Sequence, residues 1–393
     1  MISQGKDKVI KMEIFKGLGT KADEKILIET LDEVFFSEEE IRFLTLLPKL
    51  YKDKYNSAEN NLILKEDGVI KAAVGCYPIN VTAAGRKLKI MGIGNVAVTE
   101  DCRRKGYMIE LMNMALEKMI AEGYDYSLLG GQRQRYEYFG YVPAGSGINF
   151  TINKGNISRI RNGNTETDFT YKILEETNTD AIAKVKALYE KMPFYAERKE
   201  EEMIDILCSW GCKPYVVYCG GEFKGYFVMK KSYLAEVKAV NTEDLLDIFL
   251  CIMKASENES VSFTAPVYDT ETCDFMAKRC CGMSVCHVEQ LNIFNYAKFI
   301  EAFLTIKAER INLCSGTLNV LVHGYAKDEK IAITVDGKSV TVTQTDAEPD
   351  VELDKLEAVA FFAGQYAVKR LSLPAFAQNW FPVDFFMYGQ DNV

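Results

Sequence analysis

Hydrophobic and polar residues follow two periods along the chain, one typical of amphipathic helices and one typical of strands. In the N-terminal part, helical spacing predicts helices over residues 21–36, 41–51 and 107–122, the last ending at Gly123. Short apolar runs predict strands over residues 62–64, 69–77, 87–98 and 125–129, with a hairpin turn at Glu66-Asp67-Gly68. Glycines inside the third strand indicate a bulge or the close approach of a ligand.

The middle of the chain repeats this order of elements without repeating the residues. Helical spacing predicts helices over 179–192, 200–209 and 244–255, and apolar runs predict strands over 215–218, 226–230 and 236–240. The pattern therefore indicates a second, degenerate copy of the first unit.

The C-terminal third changes to alternating strands, over residues 316–325, 330–335 and 339–345, with Asp336-Gly337 as a hairpin turn. A helix over 353–362 follows. This pattern is typical of a small α+β domain. With boundaries near Asn156 and Val288, we expect three domains, over residues 1–155, 156–288 and 289–393.

Composition narrows the class of protein. The chain has 393 residues, of which 48% are apolar and 26% charged, enough for two to three domains with buried cores. Met1 to Lys11 is polar and lysine-rich, and no segment has 18 consecutive apolar residues, so we expect a cytoplasmic protein without a membrane span. A net charge of −9 argues against nucleic acid as a partner.

The eleven cysteines contain no Cys-x-x-Cys pair, and the histidines are only His287 and His323. We therefore expect no metal site. In a reducing compartment the cysteines are interpreted as small buried hydrophobic residues rather than disulfides.

The segment from Asn95 to Met108, NVAVTEDCRRKGYM, carries the most specific chemistry. It reads as a strand, a polar turn, a glycine and a helix, and a helix N-terminus binds phosphate through free N–H groups and a partial positive charge. Three basic residues at that position indicate a pyrophosphate, because cations are otherwise unfavourable there. A solvated basic turn is the alternative. The glycine patterns of dinucleotide-binding and P-loop proteins are absent.

The same segment resembles motif A of the GNAT superfamily of N-acetyltransferases, usually Gln/Arg-x-x-Gly-x-Gly/Ala, with Met108 departing at the last position. The resemblance implies acetyl-CoA as co-substrate and a mixed β-sheet flanked by helices. It also implies coenzyme-binding residues: the strand Val96, Ala97 and Val98, and the turn Arg103, Arg104, Lys105, Gly106, Tyr107 and Met108. A main-chain N–H of that strand would polarise the acetyl carbonyl.

A second segment, Tyr136-Glu137-Tyr138-Phe139-Gly140-Tyr141, resembles motif B of the same superfamily. Family tyrosines at the Tyr136 position lie beside the coenzyme sulfur, where a phenol with a pKa near ~10 can protonate the leaving thiolate. The alternative is that these rings are core aromatics of a strand pair. We favour the core interpretation for Phe139 and Tyr141, and the catalytic one for Tyr136.

The order of the domains resembles the enhanced-intracellular-survival (Eis) type of acetyltransferase, with an active and a degenerate acetyltransferase domain and a sterol-carrier-protein-like C-terminal domain. This resemblance implies primary-amine acceptors such as aminoglycosides, polyamines or lysine side chains, and a homo-oligomer, which in that family is a hexamer. It also implies that the carboxylate of the last residue, Val393, serves as general base. The chain runs several residues past its last aromatic pair, so Asp384, Asp391 or a frayed tail remain alternatives.

Two non-enzymatic functions compete with this hypothesis. The chain could be a lipid-binding or carrier protein that uses the C-terminal domain, or a non-catalytic acyl-CoA sensor. The second copy has Asn241-Thr242-Glu243-Asp244 at the turn that corresponds to Arg103–Gly106, and its acidic side chains would repel phosphate. Since the first copy keeps its cations, the sequence favours an enzyme.

Overall fold

The structure is a computed structural model, and it describes residues 13–36, 41–325 and 327–393. The polar N-terminus Met1 to Lys11 lies outside the described residues. The strands are β1 Ile14–Leu18, β2 Asn61–Glu66, β3 Val69–Ala83, β4 Arg86–Val98, β5 Tyr126–Leu129, β6 Val142–Ala144, β7 Gly147–Asn153, β8 Thr170–Ile173, β9 Phe194–Ala196, β10 Lys213–Cys219, β11 Glu222–Lys230, β12 Tyr233–Ala239, β13 Ser260–Pro266, β14 Gly282–Cys286, β15 Glu289–Ile293, β16 Gly316–His323, β17 Asp328–Asp336, β18 Ser339–Gln344 and β19 Val351–Asp354. The helices are α1 Glu24–Phe36, α2 Phe43–Leu46, α3 Pro48–Tyr51, α4 Tyr107–Ala121, α5 Arg133–Tyr136, α6 Lys154–Ile160, α7 Thr179–Tyr189, α8 Met203–Leu207, α9 Leu245–Ser256, α10 Thr270–Ala277, α11 Tyr296–Arg310 and α12 Lys355–Ala363.

The first sheet has the strand order β1-β2-β3-β4-β5-β15-β6, with β9 paired to β3. Neighbouring strands are antiparallel except β4 and β5, which are parallel and joined by the crossover helix α4. Strand alternation sends Leu62 and Leu64 towards α4 and Ile63 towards α1, so the sheet has an apolar layer on each face.

The predicted helix over 41–51 is two short helices instead, α2 and α3. Pro48 occupies the first position of α3, where its missing N–H has no partner to lose. Leu47 before it leaves the helical region of backbone space, with φ −129° and ψ 65°. The prediction missed this break because the apolar spacing continues through the proline.

The second sheet has the order β14-β7-β13-β12-β11-β10-β8. Its β12 and β13 form a parallel pair joined by the strongly apolar helix α9, as β4 and β5 are joined by α4. The third sheet, β18-β17-β16-β19, packs against α11 and α12 in a smaller α+β unit. This arrangement confirms the predicted fold class, two mixed sheets of similar order flanked by helices and a further α+β unit.

The first two sheets take strands from distant parts of the chain. The second sheet takes β7, which precedes α6, while β15 inserts into the first sheet between β5 and β6. Strand β9, from the middle of the chain, pairs with the edge of β3. These exchanges bring residues far apart in sequence to the ends of β4 and β5.

Within the described ranges, no helix is long and apolar enough to cross a membrane. The same ranges contain no group of three His, Cys, Asp or Glu side chains arranged to hold a metal ion.

Candidate active site

The turn between β4 and α4 is shaped by two residues with positive φ. Gly106 precedes the first residue of α4 with φ 86°, and no atom lies within 4 Å of the position that a Cβ would take there. Arg104 also has a left-handed backbone, with φ 69°. This conformation suits glycine and leaves the first N–H groups of α4 open towards an adjacent cleft. A helix start of this form is suited to binding an anion.

The cleft beside this turn has a volume of about 720 Å³. Seven of the residues predicted to bind the coenzyme line it: Val96, Val98, Arg103, Arg104, Gly106, Tyr107 and Met108. Phe35 closes another side of the cleft, whereas its neighbour Phe36 packs into the core beneath α1. Arg135 also lines the cleft, and nothing in its sequence context distinguished it beforehand.

Two predicted residues lie outside the lining. Ala97 points to the opposite face of the sheet and packs among the residues beneath α1. The Lys105 ammonium lies 2.8 Å from the Glu66 carboxylate, which also accepts a hydrogen bond from the Tyr107 hydroxyl. Lys105 and Tyr107 together hold the pKa of Glu66 below its ordinary value. The other two cations of the turn line the cleft: Arg103, which forms a long ion pair of 3.9 Å with Glu100, and Arg104.

Strands β4 and β5 separate at one end. Their pairing runs from Ile90 opposite Tyr126 to Ile93 opposite Leu129 and stops there. Strand β4 continues to Val98 but keeps only β3 as its neighbour. The amides on its other edge therefore face the space between the two strands, where an extended ligand could pair with them.

Strand β4 has a bulge beside this separation, in its pairing with β3. Between the pairs Ala73–Ala97 and Gly75–Gly94, β3 has one residue and β4 has two, of which Asn95 has φ 39°. The Asn95 side-chain oxygen accepts hydrogen bonds from the Tyr51 and Tyr77 hydroxyls, both at 3.0 Å. Its amide nitrogen donates to Asn61 at 2.7 Å. Burial raises the pKa of Tyr77, so this network is neutral and holds the bulge by hydrogen bonds alone.

The C-terminal residue reaches the same place. A Cβ added to Gly94 would lie 3.0 Å from the carboxyl carbon of Val393, and one added to Gly92 would lie 2.6 Å from its side chain. Val393 also packs with the residues beneath α1. The two glycines of β4 leave the space that the end of the chain occupies.

The tail before Val393 is held by buried polar contacts rather than frayed. The Asp391 carboxylate accepts hydrogen bonds from the Arg198 guanidinium at 2.8 Å and from the Tyr189 hydroxyl at 2.9 Å. Lys49 donates to the carbonyls of Gln390 and Asn392, both at 2.5 Å. Burial lowers the pKa of Lys49 to about 7. The tail is therefore tied to both the first and the second unit.

The two aspartates considered as alternative bases are engaged elsewhere. Asp391 is buried in the ion pair with Arg198, which also pairs with Glu236. Asp384 pairs with Arg310 at 2.6 Å. Neither carboxylate contacts β4, so the terminal carboxyl group of Val393 is the acidic group of the tail that does.

Tyr136 ends α5 and is buried, and its ring lies 2.7 Å from where a Cβ on Gly131 would be. Burial raises its pKa, and a hydrogen bond from Arg135 opposes that rise. Of the neighbouring aromatics, Phe139 lies in the core, and Tyr141 is fully buried with its hydroxyl 2.8 Å from that of Ser127. This placement agrees with the core interpretation of those two rings.

Residues 18–144 match the model of the acetyltransferase (GNAT) domain. The match includes the Arg103–Gly106 turn and Tyr136 but not the tail. It supports acyl transfer as the class of reaction.

Solved structures share the fold of nearly the whole chain at low identity. A GCN5-related N-acetyltransferase from Kribbella flavida has a TM-score of 0.68 at 14% identity, covering 97% of this chain and 99% of that chain. A probable N-acyltransferase from Enterococcus faecalis has a TM-score of 0.63 at 15% identity, covering 89% of each chain. Eis1 from Mycobacterium abscessus has a TM-score of 0.59 at 14% identity, covering 88% of each chain. No curated protein matches the chain significantly.

The two candidates for proton transfer, Tyr136 and Val393, lie on opposite faces of the first sheet. Tyr136 packs with Ile93 and Leu129 in the layer that contains α4. Val393 belongs to the layer on the other face, which contains α1. The separation between β4 and β5 lies between them. A group placed in that gap would have a potential proton donor on one side and a carboxylate on the other.

Besides Arg135, sequence reasoning missed three residues around the tail. Lys49 and Arg198 hold the tail, and Glu289 accepts a hydrogen bond from the Asn392 side chain. Burial raises the pKa of Glu289 to about 7. No local motif marks any of them, because each acts through a contact with a distant segment. The sequence signal that pointed to this region is the run of residues after the last aromatic pair, Phe385-Phe386.

Proposed function

We propose that the chain is an acetyl-CoA-dependent N-acetyltransferase that transfers an acetyl group directly to a primary amine. The observation that carries this proposal is the position of the Val393 carboxyl group, against Gly94 at the point where β4 leaves β5. An aminoglycoside-, polyamine- or lysine-like acceptor would bring its cationic nitrogen to this carboxylate.

The coenzyme-binding groups are the turn and the free edge of β4. Arg103 and Arg104 would bind the pyrophosphate together with the N–H groups after Gly106. Backbone amides near Val96 and Val98 would pair with the pantetheine arm and donate to the acetyl oxygen. Bound acetyl-CoA supplies the acetyl group as an activated thioester. Ala97 would contribute through its backbone, since its side chain faces away.

Proton transfer would use the two faces of the sheet. The α-carboxylate of Val393 would accept the proton of the attacking amine, because an α-carboxyl group is ionised at neutral pH, with a pKa of ~3.5. Tyr136, on the other face, would protonate the departing sulfur. Its raised pKa keeps the phenol protonated and ready to donate.

Four further features belong to this proposal. They are the domain ranges 1–155, 156–288 and 289–393, a sterol-carrier-like role for the last range, a homo-oligomer and a cytoplasmic location. The exchanged strands β7 and β15 support a tightly joined chain in which these ranges do not act as separate modules.

The experiment is a thiol-release assay with acetyl-CoA and a panel of aminoglycosides, polyamines and lysine peptides. It compares the full chain with a chain lacking residues 387–393 and with a chain extended by two residues after Val393. The extension keeps every anchoring residue but moves the carboxylate, so it is the matched control for the truncation. We expect turnover by the full chain and its loss in both altered chains.

Other outcomes would change the proposal in defined ways. Full turnover by the extended chain would remove the Val393 carboxylate from the mechanism while leaving acetyl transfer intact. Tight coenzyme binding without turnover on any amine would favour the sensor or carrier function instead.

A further inference from the structure

Glu289 lies on the same rung of the first sheet as the groups that receive the tail. The last paired rung at this end joins Ile93 on β4, Leu129 on β5 and Gln290 on β15. The next residues towards the open end are Gly94 on β4 and Gly130 on β5. Because β15 runs antiparallel to β5, its next residue at this end is Glu289.

Residues on one rung of a sheet direct their side chains to the same face. A Cβ on Gly94 would point at the Val393 carboxyl carbon, 3.0 Å away, and a Cβ on Gly130 would lie 3.9 Å from a Glu289 carboxylate oxygen. Glu289 and the C-terminal carboxyl group therefore lie on the same face, at the same level and on opposite sides of the separation between β4 and β5.

The surroundings of Glu289 favour its neutral form. Among the described residues, no lysine or arginine forms an ion pair with it, and its hydrogen-bond donor is the Asn392 side-chain amide. Titratable groups on this side include the Tyr233 hydroxyl on β12, on which Glu289 acts electrostatically, the Val393 carboxyl group, and Lys49, which contacts the Asn392 carbonyl. The residue before Asn392, Asp391, is paired with Arg198. Burial without a paired cation raises the pKa of Glu289 to about 7.

We propose that Glu289 is a second proton acceptor of the active site, placed beside the C-terminal carboxylate, and that it takes over from the Val393 carboxylate the proton of the acceptor amine. This role rests on the acetyltransferase function proposed above. An α-carboxyl group binds the proton too weakly, with a pKa of ~3.5, to hold it at neutral pH. A general base is most effective when its pKa lies near the working pH, which is the case for Glu289.

The step balances with the groups already named. An N–H bond of the ammonium breaks and an O–H bond forms on Glu289, which leaves the lone pair on nitrogen. That pair forms the C–N bond to the acetyl carbon, and the C–S bond of the thioester breaks with its electrons on sulfur. Tyr136 protonates the sulfur, and the second proton lost by the new amide nitrogen passes through solvent to restore the Tyr136 phenol. Glu289 later returns its own proton to solvent.

The test is the pH dependence of Glu289→Gln, which keeps the size of the side chain and an acceptor for Asn392. The ratio of kcat/KM between wild type and variant cancels the titration of the amine itself. We expect this ratio to be about a hundredfold above neutrality, the lower end of a general-base contribution. It should fall towards unity below a pH of about 7, because the wild-type Glu289 is then protonated.

Two variants separate this role from a structural one. Glu329→Gln is the matched control, since burial also raises the pKa of Glu329 but it lies on β17 in the third sheet. Its ratio should stay near unity at every pH. Glu289→Asp keeps a titrating carboxyl group and should retain the pH dependence at a lower rate. A ratio for Glu289→Gln that is constant with pH, or an Asp variant without the dependence, would overturn the role.

A second readout needs no coenzyme. The pKa of Glu289 in the folded chain, about 7, lies above its ordinary value of 4.5, so the folded state binds the proton more tightly than the unfolded state. This stabilisation is complete below pH 4.5 and is lost as the pH rises through 7. The free energy of unfolding of wild type should therefore fall relative to Glu289→Gln over this interval. If the free energies of unfolding of wild type and Glu289→Gln changed in parallel with pH, the proposal would be overturned.

The failure of this inference is distinct from the failure of the proposed function. No thiol release by the wild type with any amine would overturn both. Normal turnover by the wild type, with a kcat/KM ratio between wild type and Glu289→Gln that does not change with pH, would overturn the role of Glu289 alone.

Discussion

Gly92→Ala should displace the C-terminal carboxylate with a single methyl group. The new Cβ would lie 2.6 Å from a methyl carbon of Val393 and 3.2 Å from the end of the Ile79 side chain. Carbon atoms pack best at about 3.5–4.0 Å, so Val393 must move by about 1 Å, while Ile79 can adjust its flexible end. Gly92 is not among the residues with positive φ, so alanine introduces no backbone strain.

The expected effect is on the rate of reaction rather than on coenzyme binding. A misplacement of about 1 Å in a catalytic group costs on the order of a hundredfold in rate. At 1.36 kcal/mol for each factor of ten, this corresponds to about 2.7 kcal/mol of lost transition-state stabilisation. Gly92 does not line the cleft beside Arg103 and Arg104, so the Kd for acetyl-CoA should change by less than about threefold.

The assay is thiol release at saturating amine, with coenzyme affinity measured by calorimetry. Val393→Ala removes the methyl groups that the new Cβ would touch but keeps the α-carboxylate. The double variant Gly92→Ala with Val393→Ala should therefore be at least about tenfold more active than Gly92→Ala alone. Wild-type kcat in Gly92→Ala, or no recovery in the double variant, would refute the steric argument.

Three further predictions concern the coenzyme turn, the proton donor and the tail anchor. Arg103→Ala with Arg104→Ala should weaken acetyl-CoA binding about a hundredfold, since charged hydrogen bonds contribute about 1.5–3 kcal/mol each. Lys105→Ala should change the Kd for acetyl-CoA by less than about threefold, because Lys105 already pairs with Glu66. Equal losses of affinity in the two variants, measured by calorimetry, would refute the assignment of Arg103 and Arg104 to the pyrophosphate. Tyr136→Phe should lower kcat about a hundredfold with unchanged coenzyme affinity, and a fully active variant would exclude it as the proton donor. Asp391→Asn should cost about 1.5–3 kcal/mol in denaturant unfolding, because it weakens the charged hydrogen bonds of the buried Arg198, which keeps its pair with Glu236. A loss below about 0.5 kcal/mol would contradict that account.

Local patterns were sufficient for the elements that carry the coenzyme turn. The helical spacing from Tyr107 predicted α4 to within one residue of its end, and the turn residues before it marked the helix start. The duplicated order of elements predicted the second sheet, where α9 joins a parallel pair as α4 does. These predictions succeed because periodicity and turn chemistry act over a few residues.

Strand β15 shows what such patterns cannot reach. Its residues, Glu289–Ile293, begin the third predicted range but complete the first sheet between β5 and β6. Nothing in a five-residue strand specifies which distant edge it will join, because pairing depends on which partners the whole fold brings together. The same reason explains why Glu289 could not be recognised from its position in the chain.

The sequence by itself determined the central strands of the two mixed sheets, the turn from Arg103 to Gly106 and the aromatic segment around Tyr136, because each consists of contiguous residues. Only the tertiary structure decided where the C-terminal carboxyl group lies in the fold. Val393 reaches β4 because Arg198 and Lys49, distant in sequence, bind the tail within a buried, low-dielectric interior. Burial likewise raised the proton affinity of Glu289, because the fold removes water from its carboxyl group and, among the described residues, pairs it with no cation.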